Sequence, residues 1–485
     1  MDIYLHGIET IEKNDGPRSV QTIDTGIIGL IGTAPAAVSA LWPLNTPIPI
    51  FGIGDAATGL GKTGTVPAAL ESIFKQATRA SQTVVVVLVA PGSNVNELMA
   101  NIIGSVVNKT GMQAFRKAFG LLGLKPKILI APGVTGLRPA DGLESISISE
   151  TGNVGYVTAP LVTITGGGGQ GATAVATIDA NGKVDAITLV TRGFGYTSVP
   201  TIGLSGGTPT TPATATGVLG TVANPVVANL LAVANALRAT VPVDGPNTTA
   251  EGAVAYRNDF DNDRLYIIDP MAKTYVGDAV ATVPAAPFVA GLMARVDYEE
   301  GFWVSASNHV LEGVIGAGRP VEHSLSDPSA ESQYLNKNGV ATIVRSPSGG
   351  FKLWGARAAS SDPLKKFLSV RRSHDTIIES IEIAHDPFID KPFSLQMLTD
   401  IAETVNAALR RWQALGATLG GRVWFDGALN TKESWSAGHL YVSYDAEGPA
   451  PIEHITFLFS RNTGYYEKLG QDAIREISRL ASVAA

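Results

Sequence analysis

VVVVLVAP at residues 84–91 decides the fold. Its first six residues are β-branched or aliphatic without a break, and Ala-Pro closes the run. A strand with one wet face alternates between apolar and polar. One that is apolar at every position is covered on both faces, as in a mostly parallel sheet lying between helices. ILIAP at 128–132 has the same character. Around these runs the period shifts from two to 3.6. PAALESIFKQAT (67–78) opens with proline, and the helix is expected to start there, at Pro67. Asn224-Pro225 supplies an N-cap and a first-turn residue for a helix that carries Val226, Leu230, Val233 and Leu237 on one face. Strand–helix alternation of this kind predicts an α/β layer fold.

The chain has 485 residues, which at about 150 residues per domain suggests roughly three domains. Lys and Arg number 36 against 43 Asp and Glu, a net charge of −7, so no basic footprint for nucleic acid is expected. Apolar residues make up 45% and charged residues only 16%, with mean hydropathy +0.17; this argues against disorder and for a dry surface covered in an assembly. The absence of cysteine rules out disulfides, thiolate catalysis and Cys-ligated metals. The opening MDIYLHGIETIEKNDGPR has early acids and no apolar core, so no secretory leader is expected. Thr25 to Gly54 carries no charge, but Pro35, Pro43, Pro47 and Pro49 divide it into pieces too short to span a membrane. A soluble protein made in the cytoplasm is the expectation.

Between 144 and 219 the composition changes. Six charged residues (Glu144, Glu150, Asp179, Lys183, Asp185, Arg192) stand among 14 glycines and 15 threonines. GNVGYVTAPLVTITGG (152–167) returns as GFGYTSVPTIGLSGG (193–207), with Tyr156 and Tyr196, and Pro160 and Pro200, each 40 residues apart. The segment reads as a small all-β insert of two similar units. Beyond about 340, KFLSVRR (366–372) is strand-like, and Ile377, Ile378, Ile381 and Ala384 mark a helix that stops before Pro387. A second helix is expected over 395–415, then alternating strands at 439–445 and 453–460 joined through EGPAP, and an amphipathic helix over 464–485.

The chemical motifs fail their context tests. AATGLGKT (56–63) fits a relaxed phosphate loop with Lys62 and Thr63 placed for phosphate and magnesium, but GTVP follows where a helix should begin. Gly166, Gly168 and Gly171 satisfy a dinucleotide pattern, yet an alternating strand follows instead of a helix. Gly203, Ser205 and Gly207 imitate a nucleophile elbow; the sister copy has Thr165 at the serine position, so the repeat wrote the match. Glu382 and His385 form a lone E-x-x-H, and the seven histidines are scattered without metal-ligand spacing. One basic cluster stands out: Lys352, Arg357, Lys365, Lys366, Arg371 and Arg372 against Asp362 alone. It reads as a solvated strand edge or as a contact face for an acidic partner.

Several phrases in order resemble the contractile tail sheath proteins of long-tailed, myovirus-type bacteriophages. LHGIETIEKNDGPRSVQTIDTGIIGLIGTAP (5–35) is similar to the family's opening. VDGPNTT (243–249), LYIIDP (265–270), VAGLMARVDYEEGFWVSASN (289–308) and GVIGAGRPVEHSLSD (313–327) are similar to its middle. GVATIVR (339–345), the run 351–393 and GGRVWFDGALNT (420–431) are similar to its C-terminal domain. The insert and the terminal helix fall outside the resemblance.

The resemblance implies a subtilisin-like α/β core plus an α+β C-terminal domain, with the small all-β insertion domain and extended terminal arms. The expected division is an arm at 1–25, a discontinuous core at 26–143 and 220–338, the insert at 144–219, the C-terminal domain at 339–460 and a C-terminal arm and helix at 461–485. PFVAGLMA (287–294) echoes the helix after a subtilase nucleophile, but Val283 stands at the serine position, so no enzyme and no cofactor are expected. The resemblance further implies stacked hexameric rings around an inner tail tube, with baseplate and tail terminator proteins as partners. The location implied is the virion, after assembly in the bacterial host cytoplasm. Candidate inter-subunit arm residues are Ile3, Leu5, Ile8, Leu440, Val442, Tyr444, Ile455, Phe457 and Phe459; Lys365, Lys366, Arg371 and Arg372 are candidates for the tube contact. The rival expectation is an α/β nucleotide hydrolase using Lys62 and Thr63 with a carbohydrate-binding insert.

Overall fold

The computed structural model describes residues 19–52, 58–77, 82–138, 141–149 and 151–483. Its centre is a mixed sheet of β1 (Ile28–Gly32), β2 (Pro47–Phe51), β3 (Thr83–Leu88), β4 (Ile128–Ile130), β5 (Val241–Asp244), β6 (Leu265–Ile268), β7 (Val340–Arg345) and β8 (Phe351–Trp354). β1 lies between β3 and β4, parallel to both, with Leu30 opposite Val86 and Ile130. β5, β6 and β7 are likewise parallel. The two halves meet at a parallel bridge between Ile128 and Thr240, where the Leu129 N–H donates to the Thr240 carbonyl at 2.8 Å. β2 and β8 close the ends antiparallel to β3 and β7.

The helices that carry most of the cover on the sheet are α1 (Thr65–Phe74), α2 (Val95–Ile103), α3 (Pro225–Leu237), α4 (Ala250–Arg257) and α5 (Ala286–Glu299). The valine run alternates between two cores. Val85 and Val87 join Leu129, Val241 and Ile267 under Met99 of α2, Leu230 of α3 and Tyr256 of α4. Val84 and Val86 join Ile28, Leu30 and Ile268 under Leu70 of α1 and Phe288 and Leu292 of α5. Each residue of the strand therefore removes a side chain from water, which is why no polar alternation is present. The Asn224 side chain caps α3, accepting from the Val226 and Val227 N–H groups. α1 starts at Thr65, two residues before the expected Pro67; proline is tolerated there because first-turn N–H groups have no intrahelical partner.

The insert holds a four-stranded sheet, ordered Gly142–Ile148, Ala215–Gly220, Thr201–Ser205 and Leu161–Thr165, and a hairpin of Gln170–Ile178 with Val184–Phe194. The two sequence copies face each other. Leu161–Thr165 runs antiparallel to Thr201–Ser205 with Thr163 opposite Gly203, a local pseudo-two-fold arrangement. The exchange is reciprocal. A Cβ on Gly167 would meet the Tyr196 ring at 2.9 Å, and one on Gly207 would meet the Tyr156 ring at 2.7 Å, so each copy's glycine seats the other's tyrosine. The insert is also tied to the core: Phe194 is buried in the cluster under α2 and α3, and Gln170 Nε2 donates to the Asn96 carbonyl at 2.7 Å.

After β8 come α6 (Leu368–His385), α7 (Leu395–Ala414), β9 (Gly420–Trp424) and β10 (Ser443–Glu447). Two expectations are corrected here. KFLSVRR is the approach to and first turn of α6, because Arg371, Arg372, Asp375 and Glu379 recur at helical spacing on a face turned inward. The ribbon of 439–445 with 453–460 does not form: β10 pairs with β9, Tyr444 opposite Val423, and 453–460 has no strand partner among the described residues. α6 and α7 pack through Ile377, Ile381, Val405, Leu409 and Trp412. Residues 452–485 form a separate unit whose helix α8 (Gly464–Val483) carries Tyr466, Leu469, Ile474 and Ile477 exposed. No helix among the described residues is long and apolar enough to cross a membrane.

Candidate assembly interface

The C-terminal domain offers a surface that the described residues leave incomplete. β9 and β10 form a sheet of two strands, and both outer edges are unpaired among the described residues. A two-stranded ribbon is marginal in water, and free edges are templates for further strands. The core sheet is not open in this way. β2 carries Pro47 and Pro49, which remove donors from the outer side, and β8 is covered by the segment 308–311 through the Asn308 and Leu311 N–H groups.

Beside β10 lies an apolar cavity of about 1050 Å³, walled by Phe388, Phe393, Met397 and Val405 and by Leu440, Val442 and Tyr444. Leu440 and Val442 thus lie in the loop leading into β10, and Tyr444 within it. Ile455, Phe457 and Phe459 are exposed, the last two by 88% and 91%. Ile3, Leu5 and Ile8 lie outside the described residues. The root of the N-terminal segment is well fixed. Val20 is buried with Trp412 and Leu409, the Trp412 Nε1–H donates to Thr22 Oγ1 at 3.1 Å, and the Ile23 N–H donates to Ser380 Oγ at 3.2 Å. Sequence reasoning passed over this anchor, because a valine and a tryptophan 392 positions apart give no local signal.

The basic cluster divides. Lys365 is exposed near Asp362 at 3.5 Å, and Lys366 lies half-buried over the Phe367 ring. Arg371 and Arg372 are turned inward: Arg372 Nη1 donates to Asp297 Oδ1 at 2.9 Å, and Arg371 pairs with Asp375 and Asp263. These two arginines are therefore corrected as tube-contact candidates. Lys352 is also committed, to Asn308 Oδ1 at 2.8 Å and to the Trp354 ring.

Ala56 and Ala57 of the phosphate-loop match lie outside the described residues, and among those described Thr58 to Thr63 make no anion cradle. Lys62 and Thr63 are exposed, and the amino end of α1 is closed by Thr33, whose carbonyl accepts from the Val66 N–H at 3.1 Å. A Cβ on Gly64 would lie 2.3 Å from that carbonyl and 2.8 Å from Pro35, so the space above the helix is filled. Val283 sits on the hairpin strand Ala279–Val283 opposite Ala272, and Glu382 pairs with Arg238. The insert's aromatic residues are buried too. Tyr156, Phe194 and Tyr196 are each 4% exposed, which leaves none of the three as a stacking platform for a sugar.

Comparison with known proteins completes the description. The model of the phage tail sheath protein central domain matches residues 214–359, and that of the phage tail sheath C-terminal domain matches 360–460. The tail sheath protein of Burkholderia phage BcepMu is 32% identical over 493 residues, covering 94% of this chain and 96% of its own. That of Escherichia phage P2 is 27% identical over 467 residues, covering 94% and 95%. Among solved structures, a chain of the anti-feeding prophage baseplate in the contracted state superposes with a TM-score of 0.61 at 14% identity, covering 95% of this chain and 99% of that one. A chain of the contracted PVC sheath complex, an extracellular contractile injection system, gives 0.57 at 14% identity, covering 96% and 100%. At such identities these two likenesses speak for the fold.

Proposed function

The chain belongs to the phage tail sheath protein family, and on that premise we infer how it works as the structural subunit of a contractile sheath. It polymerises with copies of itself and with a baseplate, as a component of the virion. The observation that carries the mechanism is the unfinished two-stranded sheet beside an apolar cavity of about 1050 Å³. We propose that arms from neighbouring copies complete it. Segments around Ile3, Leu5 and Ile8, and around Ile455, Phe457 and Phe459, add as strands to the edges of β9 and β10, and their apolar side chains enter the cavity by Leu440, Val442 and Tyr444. Main-chain hydrogen bonds supply the affinity and alternate side chains the specificity. Such bonds hold subunits together while their bodies change packing.

Contraction then needs two packings of one subunit, the contracted one lower in free energy and withheld kinetically until the baseplate releases it. Stacked six-fold rings around an inner tube, a terminator at the far end and assembly in the host cytoplasm complete the proposal. So does a division into arm, discontinuous core, insert, C-terminal domain and C-terminal arm. Two four-stranded sheets that meet edge to edge at the Ile128–Thr240 bridge, between two helical layers, support a subtilisin-like core. Val283 at the nucleophile position and the closed end of α1 support a structural role without catalysis or cofactor. Lys365 and Lys366 remain the tube-contact candidates.

Deleting residues 1–16, or introducing Ile455→Pro to remove a ladder donor, tests the arms. Circular dichroism should stay that of the folded chain while sedimentation shifts from polymer to monomer. Long sheaths built by both variants would overturn the exchange.

A further inference from the structure

α6 has two unlike faces. Ile377 and Ile381 pack on α7, whereas the face toward the α/β core is charged. Arg372 meets Asp297 of α5, with Thr25 Oγ1 donating to the same carboxylate at 2.5 Å. Arg371 lies 3.6 Å from Asp263, and Asp375 accepts from Arg371 and from Arg264 Nη2, the latter at 3.0 Å. Glu379 receives Lys125 at 2.9 Å and also Lys127, whose Nζ donates to the Leu237 carbonyl at 2.9 Å. Glu382 accepts from Arg238 Nη2 at 2.7 Å. The side chains of Lys127, Arg264, Asp297, Arg372, Asp375 and Glu379 are all less than a tenth exposed.

The seam is polarised. The basic start of α6 faces acidic Asp263 and Asp297, and its acidic remainder faces basic Arg264, Lys125, Lys127 and Arg238. The core partners sit at the amino ends of β4, β5 and β6 and near the end of α5, so the helix reads four elements at once. Sliding it by one turn, about 5.4 Å, would bring one like pair together at the point where the sign changes, Arg371 on Arg264 or Asp375 on Asp263, while the other acids would still face basic groups. Bidentate arginine–carboxylate pairs also restrict angle as well as distance.

Buried ion pairs of this kind contribute little net stability, because desolvation offsets attraction. Desolvation is visible here: burial pulls the Lys127 ammonium down to about 8 against the opposing Glu379. Burial pushes Asp375 up, yet hydrogen bonds from Arg264 and Arg371 hold it below the usual carboxylate range. We propose that the seam is an orientation key: its paired charges fix the angle of the C-terminal domain on the α/β core without being the main source of adhesion. The C-terminal domain and the core then move as one body. The inference concerns the single subunit and stands independently of the sheath reading.

The chain has no cysteine, so two can be introduced cleanly for spin labels, at exposed Asp278 in the core and exposed Arg410 on α7. Pulsed dipolar spectroscopy on the full-length chain, diluted with unlabelled chain so that only distances within one subunit are read, should give one narrow distance. Lys127→Met with Glu379→Leu removes an interior pair and replaces it with apolar volume. It should keep the thermal midpoint within about 3 °C while broadening the distance distribution about twofold. Arg238→Gln with Glu382→Gln cuts the exposed end of the seam, does not threaten folding, and should broaden it less. Retention of the single narrow distance in both variants overturns the key. So does an interior variant that unfolds while the peripheral one keeps the narrow distance, for then the seam is adhesive.

Discussion

Asp244→Asn should make the subunit more stable at neutral pH. Asp244 ends β5 and is 1% exposed, with Oδ1 accepting from the Ala285 and Ala286 N–H groups, at 2.5 and 3.0 Å, where α5 begins. Its Oδ2 has no hydrogen-bond partner. Burial pushes its carboxyl up to about 6 from 3.8; the two N–H groups oppose this and the nearby Asp269 adds to it. Tyr256 also faces Asp244, and stays neutral throughout this range because burial raises it further. The folded state therefore holds a proton between pH 3.8 and about 6 that the unfolded chain has released. Stability is fully present below that window, declines as pH rises through it and is level above it. About two pH units at 1.36 kcal/mol each make about 3 kcal/mol. Asparagine keeps an acceptor for α5 and cannot ionise. Urea unfolding of parent and variant from pH 4 to 7.5 should give curves whose difference grows by about 3 kcal/mol toward neutral pH and then levels off. A flat difference, or a variant weaker than the parent at pH 7, would refute the reasoning.

Replacing residues 142–220 with a short glycine linker should leave a folded chain that still polymerises. It should lose about 3–5 kcal/mol in urea unfolding, since Phe194 leaves the core with the insert. A soluble, folded chain unable to polymerise would make the insert an assembly element. Reversing Lys365 and Lys366 to glutamate should weaken assembly on tubes in a salt-dependent way, whereas Arg372→Glu should cost folding itself, about 3–5 kcal/mol, by stranding Asp297. Trp412→Phe removes the bond to Thr22 and leaves a cavity where the larger indole packed, so it should cost about 2–4 kcal/mol and speed amide exchange over residues 20–23. Nucleotide titration should show no binding that Lys62→Ala abolishes, because Thr33 and Pro35 fill the end of α1.

How much was legible depended on whether a segment's partners lay nearby in sequence. The valine run states its own burial, and Asn224-Pro225 states its own cap; both readings match the structure. α6 was misread at its start because its charged face looks like a solvated edge when counted along the chain. The partners that make Arg371 and Arg372 interior residues lie about 75 to 108 positions upstream. The strand at 453–460 is read from sound alternation, yet among the described residues it has no strand partner. Its apolar residues remain exposed, as do Tyr466, Leu469, Ile474, Ile477 and Leu480 of α8. The Tyr156 and Tyr196 repeat was plain in sequence, but that each ring fills the other copy's glycine turn required the fold.

Negative-stain electron microscopy of the purified full-length chain tests the central claim most directly. A subunit whose unfinished sheet is completed by neighbouring arms should form hollow tubes or stacked rings of uniform diameter, and the 1–16 deletion should abolish them. Monodisperse particles of single-chain mass across concentrations at which polymers should form would contradict the account.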